Sequence, residues 1–273
     1  MLVTKFDGRK EEFQKDKIIN TCIRAGVSQE IAVKIANEIE SKAYNEISTK
    51  EIYQMIKKLL EKYETASAKI YTLREAIASL DPFIFEIFIK RLLESYEYIC
   101  EYNKIIQGLA VEHQIDIIAR NKMQELILVE CKRHRNAHRF CGLDTCLQVY
   151  ATLEDILDGF KNNKNNYNFK KAWIITNTKF SEHAKKYANA KDIILTGWKY
   201  PENASLEFLI QKKALYPVNI LKTKKNIIEK IMQSGIIVVK ELEEDKLREI
   251  GMSENIIRNL IKQKEDILSK GFE

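Results

Sequence analysis

Apolar residues return at helical spacing through the first eighty positions of the chain. Ile18, Ile19, Cys22 and Ile23 predict a helix over 16–25, closed by Gly26 at the position where a left-handed residue ends a helix. Ser28 stands as N-cap of a second helix lined by Ile31, Val33, Ile35 and Ile39. Ser48 opens a third, with Ile52, Met55, Ile56, Leu59 and Leu60 on one face, and a fourth is expected over 66–80. Ahead of them, Leu2-Val3-Thr4-Lys5 followed by Asp7-Gly8 predicts a short strand and a hairpin turn.

Asp81-Pro82 marks a boundary, because the residue before proline is pushed out of the helical region and proline suits a first helical turn. Beyond it a helix over 83–95 precedes three runs that read as strands: Tyr98–Tyr102, Ile115–Ala119 and Leu126–Cys131. A helix over 143–158, a polar loop from Lys161, a strand over Ala172–Thr176, a helix from Ser181 and a short strand at Ile193–Leu195 complete an α-β-β-β-α-β-α-β order. The last segment, from Lys222, predicts a small helical unit broken at Gly235 and Gly251. Gly251-Met252-Ser253 leading into Glu254-Asn255-Ile256-Ile257 resembles half of a helix-hairpin-helix, a binder of nucleic-acid backbone; a dimerisation or packing element is the other reading. The expected domains are therefore 1–80, 81–221 and 222–273.

Composition narrows the class. Nine glycines and three prolines in 273 residues are too few for a disordered or collagen-like chain, and no apolar stretch approaches a membrane span. The charged start, Met1 to Asp7, lacks the apolar core of a signal peptide, so a cytoplasmic location is expected. Five cysteines, an odd number, are expected to be thiols. A net charge of +6 mildly favours a polyanionic partner.

The chemistry concentrates on Asp116, then thirteen residues, then Glu130-Cys131-Lys132. Alternation along a strand puts Glu130 and Lys132 on one face and turns Cys131 away. Two carboxylates and a lysine form a kit for phosphodiester hydrolysis: acidic oxygens hold one or two Mg²⁺, and a lysine steadies the developing charge or the attacking water. Taken alone, Glu-x-Lys at a strand end is also an ordinary surface ion pair.

The helix over 83–95, Asp116 and Glu130-Cys131-Lys132 resemble the PD-(D/E)xK nuclease superfamily. Val111-Glu112-His113-Gln114-Ile115-Asp116 and Val129-Glu130-Cys131-Lys132-Arg133-His134 look most like Mrr-type restriction endonucleases and the related archaeal Holliday junction resolvases. The resemblance spans roughly residues 82–200 and implies a central mixed sheet flanked by helices. It implies catalytic roles for Asp116, Glu130, Lys132, Glu86 and Gln148, with Asp116, Glu130 and Glu86 as metal ligands. Glu94 is a further candidate for the helix acid, and Glu112 a third possible metal-facing acid. His113-Gln114 stands where Mrr-type sequences often carry Gly-Gly. Arg133, His134, Arg135, His138 and Arg139 form a basic stretch beside the acids, read as DNA contacts or as a solvated loop. Cys131, His134, His138, Cys141 and Cys146 have a spacing that zinc tolerates, although no second Cys-x-x-Cys supports it.

Val3-Thr4-Lys5-Phe6-Asp7-Gly8, Glu11, Phe13, Lys17-Ile18, Ala25-Gly26 and Ile47–Ile52 resemble the ATP-cone, a small nucleotide-binding regulator; a helical interaction domain is the plainer alternative. The resemblance implies ATP or dATP contacts from Val3, Lys5, Glu11, Gln14, Lys17, Ile18 and Thr49. It departs at Phe6, where the family carries an arginine. The fold expected is α/β (α+β): a helical cone with a small N-terminal hairpin, a PD-(D/E)xK nuclease domain and a C-terminal helical element. The function implied is a Mg²⁺-dependent, dimeric DNA endonuclease under nucleotide control. The alternatives are a junction resolvase-like nuclease and a nucleotide-controlled DNA-binding regulator that cuts little.

Overall fold

A computed structural model describes residues 1–136 and 139–269. They fall into two compact units: residues 1–76 together with the chain from Tyr216 onward, and Ile77–Leu215. No helix among the described residues is long and apolar enough to cross a membrane.

In the first unit, β1 (Leu2–Thr4) and β2 (Lys10–Glu12) form an antiparallel hairpin, and β3 (Ile47–Ser48) joins the other edge of β1 in parallel. Gly8 takes φ +82° in the hairpin turn and donates its N–H to the Lys5 carbonyl at 3.0 Å, a conformation that a side chain resists. Three helices follow, α1 (Lys15–Arg24), α2 (Gln29–Lys42) and α3 (Thr49–Tyr63). Ser28 and Ser48 cap the last two by accepting the Ile31 and Glu51 amides. Ile18, Cys22, Ile35, Ile39, Ile56 and Leu60 form their common core.

The single helix expected over 66–80 is instead two, α4 (Thr65–Tyr71) and α5 (Leu73–Ser79). Both the amide and the hydroxyl of Thr72 donate to the Lys69 carbonyl, at 2.9 and 2.8 Å, so the ladder tightens there and restarts at Leu73.

In the second unit Asp81 caps α6 (Pro82–Ser95) by accepting the Phe83 amide at 3.0 Å, with Pro82 in the first turn. Then come β4 (Ile99–Gln107), β5 (Glu112–Arg120), β6 (Leu126–Lys132), β7 (Phe140–Cys141), α7 (Leu143–Lys161), β8 (Phe169–Thr176), β9 (Lys179–Phe180), α8 (Glu182–Ala190), β10 (Ile194–Thr196) and α9 (Leu206–Lys212). The five-stranded sheet has the order β10-β8-β6-β5-β4, antiparallel on the β4-β5-β6 side and parallel from β6 through β8 to β10. Ile118, Leu128, Ala172 and Ile174 pack with Cys146, Val149, Leu153 and Ile156 of α7, which fixes one face of β6 against that helix. The α-β-β-β-α-β-α-β order holds, with the two-residue pair β7 and β9 added. β4 and β5 run longer than the apolar runs that predict them, β4 to Gln107 and β5 from Glu112 to Arg120.

The chain from Tyr216 carries α10 (Lys225–Gln233), α11 (Glu244–Glu249) and α12 (Glu254–Leu268). Gly235 and Gly251, at φ +87° and +70°, end α10 and α11 as the sequence predicts. Whereas the sequence sets 222–273 apart, this stretch groups with residues 1–76.

Candidate active site

The β5–β6 register pairs Ile117 with Val129, which makes Asp116 and Glu130 the next positions along the two strands. The ladder finishes there with a side chain: Asp116 Oδ2 accepts the Cys131 amide at 2.8 Å. Glu130 lies two residues beyond Leu128, on the face that packs against α7. Asp116, Glu130 and Gln148 accordingly line one cleft of about 320 Å³, together with Glu112, His113 and Thr152. Lys132, on the same face of β6, reaches back to place Nζ 2.5 Å from Glu130 Oε1.

Glu86 is brought near from α6 without lining the cleft. Its Oε2 accepts a hydrogen bond from the Tyr102 hydroxyl at 3.1 Å, and the Tyr102 ring meets Phe83 edge to face. Burial raises the Glu86 carboxyl; the Tyr102 hydrogen bond opposes this, and the Glu130 charge adds to it. Glu94 is engaged on the helix surface with Lys90 and Arg91, so of the helix acids Glu86 is the one turned toward the strands.

Electrostatics single out Asp116. Burial and the neighbouring Glu130 push its carboxyl up to about 7, against the lowering effect of the Cys131 amide. Burial depresses the Lys132 ammonium, but the hydrogen bond and charge of Glu130 outweigh it, and the group ends above its ordinary value.

Two desolvated carboxylates facing one cleft fit a hard divalent cation, whose charge would relieve their repulsion. No three of His, Cys, Asp or Glu converge at ligating spacing among the described residues. Mg²⁺ suits such a two-carboxylate site because it keeps several of its own waters. Cys131, Cys141 and Cys146 are buried thiols, and burial raises all three.

The basic stretch divides. Arg133 is drawn inward, its Nη1 donating to the Ala78 carbonyl at 2.9 Å. The His134 backbone is clamped by buried Asn177, whose Oδ1 accepts its amide at 2.7 Å and whose Nδ2 donates to its carbonyl at 2.8 Å. Arg135 and Arg139 are exposed. His138 lies outside the described residues.

Tyr102, Asn177 and Asp155 were not singled out by the sequence. Tyr102 reads there only as strand, since its approach to Glu86 depends on the packing of α6 against β4. Asp155 Oδ2 sits 2.7 Å from His113 Nε2, and the same carboxylate accepts the Ala110 and Val111 amides, holding the β4–β5 turn against α7. His113, the first of the two residues standing in place of a Gly-Gly pair, thus helps anchor that turn.

At the front of the chain a second cleft, of about 240 Å³, is lined by Val3, Lys5, Gln14, Lys17, Ile18 and Thr49, with the stacked rings of Tyr53 and Tyr71 in its wall. Glu11 is not in that lining; it pairs with Lys5 at 3.0 Å and Lys17 at 3.3 Å. Phe6 is 67% exposed.

The sequence model described as ATP cone domain matches residues 1–77, and the one described as restriction endonuclease, of the Mrr catalytic type, matches 77–198. An uncharacterized protein of Archaeoglobus fulgidus is 37% identical over 181 residues, covering 65% of this chain and 98% of its own length. A second uncharacterized protein of that organism is 58% identical over 36 residues, 13% of this chain and 77% of its own. A crystal structure of a protein of unknown function aligns with a TM-score of 0.58 at 35% identity, over 69% of this chain and 99% of that one.

Proposed function

The chain belongs to the Mrr-type restriction endonucleases, with an ATP-cone domain preceding the nuclease domain, and from that premise we propose that it is a Mg²⁺-dependent DNA endonuclease controlled by ATP or dATP. The observation that carries this reading is the convergence of Asp116 and Glu130 on one cleft, with Lys132 held on Glu130.

In this reading Asp116 and Glu130 hold the cation and Glu86, oriented by Tyr102, adds a third acid beside them. Mg²⁺ supplies Lewis acidity and a lowered pKa for bound water. Lys132 brings an ammonium to the phosphoryl group, where it steadies developing negative charge or orients the attacking water. Gln148, on the exposed face of α7, contributes a polar contact from the opposite wall. Hydrolysis then leaves a 5′-phosphate and a 3′-hydroxyl. Arg135 and Arg139 offer exposed guanidinium groups to DNA phosphates, while Arg133 and His134 shape the loop that presents them. Cutting both strands calls for a homodimer, and the cytoplasm is where such an enzyme meets its DNA.

Plasmid and four-way-junction cleavage with Mg²⁺, with and without ATP, tests the reading. The wild type cuts and both Asp116→Asn and Lys132→Ala do not. A wild type that binds DNA yet cuts neither substrate would leave a DNA-binding regulator in its place.

A further inference from the structure

Within the first unit a third cavity, of about 310 Å³, lies between α3, α4 and the turn at 220–223, and shares no residue with the nucleotide cleft at the front. Three lysines, Lys57, Lys69 and Lys222, line it along with Thr65 and Thr223; Glu61 is the acid on its wall. The acids near these lysines are poorly placed to neutralise them. Lys222 is 3.7 Å from Glu61 and Lys57 is 4.0 Å from Glu75, both at the far limit of an ion pair.

Lys69 is the unusual member. It is only 8% exposed, and among the described residues no carboxylate stands within ion-pair distance of it. Burial lowers its ammonium; Asp266 partly offsets this from a distance, and Lys222 adds to it. A buried cation without a partner is a costly thing to keep, and an anion entering the cavity would supply the missing charge.

The turn that carries Lys222 is held in place. Its amide donates to Gln263 Oε1 at 2.8 Å, and Gln263 Nε2 donates back to its carbonyl at 3.2 Å. Because α12, which bears Gln263, packs against α4, the two walls of the cavity are fixed relative to each other before any ligand arrives.

We propose that this cavity is a phosphate site, taking the phosphoryl group of a small molecule between Lys69, Lys222 and Lys57. Three ammonium groups and two hydroxyls answer the charge and the several acceptor oxygens of a phosphate better than the single negative charge of a carboxylate or halide. The bound phosphate links α4 to the 220–223 turn and, through Gln263, to α12. It thus joins the cone to the chain's last helices by a contact other than the nucleotide cleft.

Titration calorimetry of the full chain with inorganic phosphate, and separately with a short DNA duplex, at constant ionic strength tests this. Phosphate binds saturably, and Lys69→Met and Lys222→Ala each weaken it at least tenfold, whereas Lys34→Ala, exposed on α2 and outside both clefts, does not. Lys222 is largely exposed, so its replacement keeps the fold if that of Lys69 does not. The proposal is overturned if phosphate fails to bind or binds both variants as it binds the wild type. Lys69-dependent heat with the duplex and none with inorganic phosphate would overturn the small-molecule source and place the phosphate on DNA.

Discussion

The Asp116 carboxylate accepts the amide proton of Cys131 at 2.8 Å, so one side chain both closes the β5–β6 ladder and faces the cleft. These two duties separate on mutation. Asp116→Asn keeps an acceptor for the amide and loses the charge, so cleavage falls by about 10²–10³-fold, while the metal-free melting temperature matches wild type near pH 4 and exceeds it at neutral pH, where the wild type carries a buried charge. Asp116→Ala loses cleavage as well, and orphans the amide at a cost of about 1–3 kcal/mol, read as a drop in melting temperature.

A raised carboxyl reverses the usual effect of pH. Asp116 binds its proton more tightly folded than unfolded, so its own contribution to metal-free stability is full below about pH 4, declines as pH rises toward about 7, and is level above that. Thermal unfolding without metal from pH 4 to 8 shows this decline in the wild type, and Asp116→Asn flattens it. Mg²⁺ stabilises the wild type more at pH 8 than at pH 5, because only the ionised carboxylate binds it.

Tyr102→Phe removes the hydrogen bond that holds the Glu86 carboxyl down, leaving burial and the Glu130 and Asp81 charges opposed by the Lys132 charge alone. The acidic limb of the pH–rate profile moves to higher pH, whereas a purely structural loss would lower the rate without moving the limb. Glu86→Gln removes the limb's dependence on Tyr102.

Gly108 has no room for a side chain, since a Cβ there would lie 2.0 Å from Asp155 Oδ2 and 2.7 Å from the Val111 carbonyl. Gly108→Ala breaks the anchored β4–β5 turn and destabilises the protein by about 1–3 kcal/mol in denaturant titration. Gly8→Ala, with open space around it, loses only what its φ of +82° demands.

Lys17→Ala in the front cleft weakens ATP binding by about tenfold, equivalent to about 1.4 kcal/mol, measured by calorimetry. Thr49→Val, which keeps shape and loses the hydroxyl, weakens it by less.

Much of this was legible in the chain. Alternation placed Glu130 and Lys132 on one face, and capping residues such as Ser28, Ser48 and Asp81 marked helix starts that the structure keeps. Six of the seven residues assigned to nucleotide from the cone resemblance, all but Glu11, line one cleft. Lost to inspection were relationships between strands and across long separations. The Tyr102–Glu86 bond needs α6 packed against β4, the Asn177 clamp on His134 joins residues 43 apart, and the break at Thr72 comes from one hydroxyl turning back on the Lys69 carbonyl. Arg133, grouped in the sequence with exposed basic neighbours, is turned inward because the Ala78 carbonyl is there to receive it, and no local pattern announces that.

Glu11 holds both lysines of the front cleft before any nucleotide comes. A nucleotide taken up there as proposed would enter by substitution, with the triphosphate as the incoming group and the Glu11 carboxylate as the leaving one. Ionic strength weakens the old pair and the new one alike, so the affinity of this cleft for ATP changes less with salt than that of two free lysines would. In that exchange the Glu11 carboxylate on β2 would give up both of its lysines.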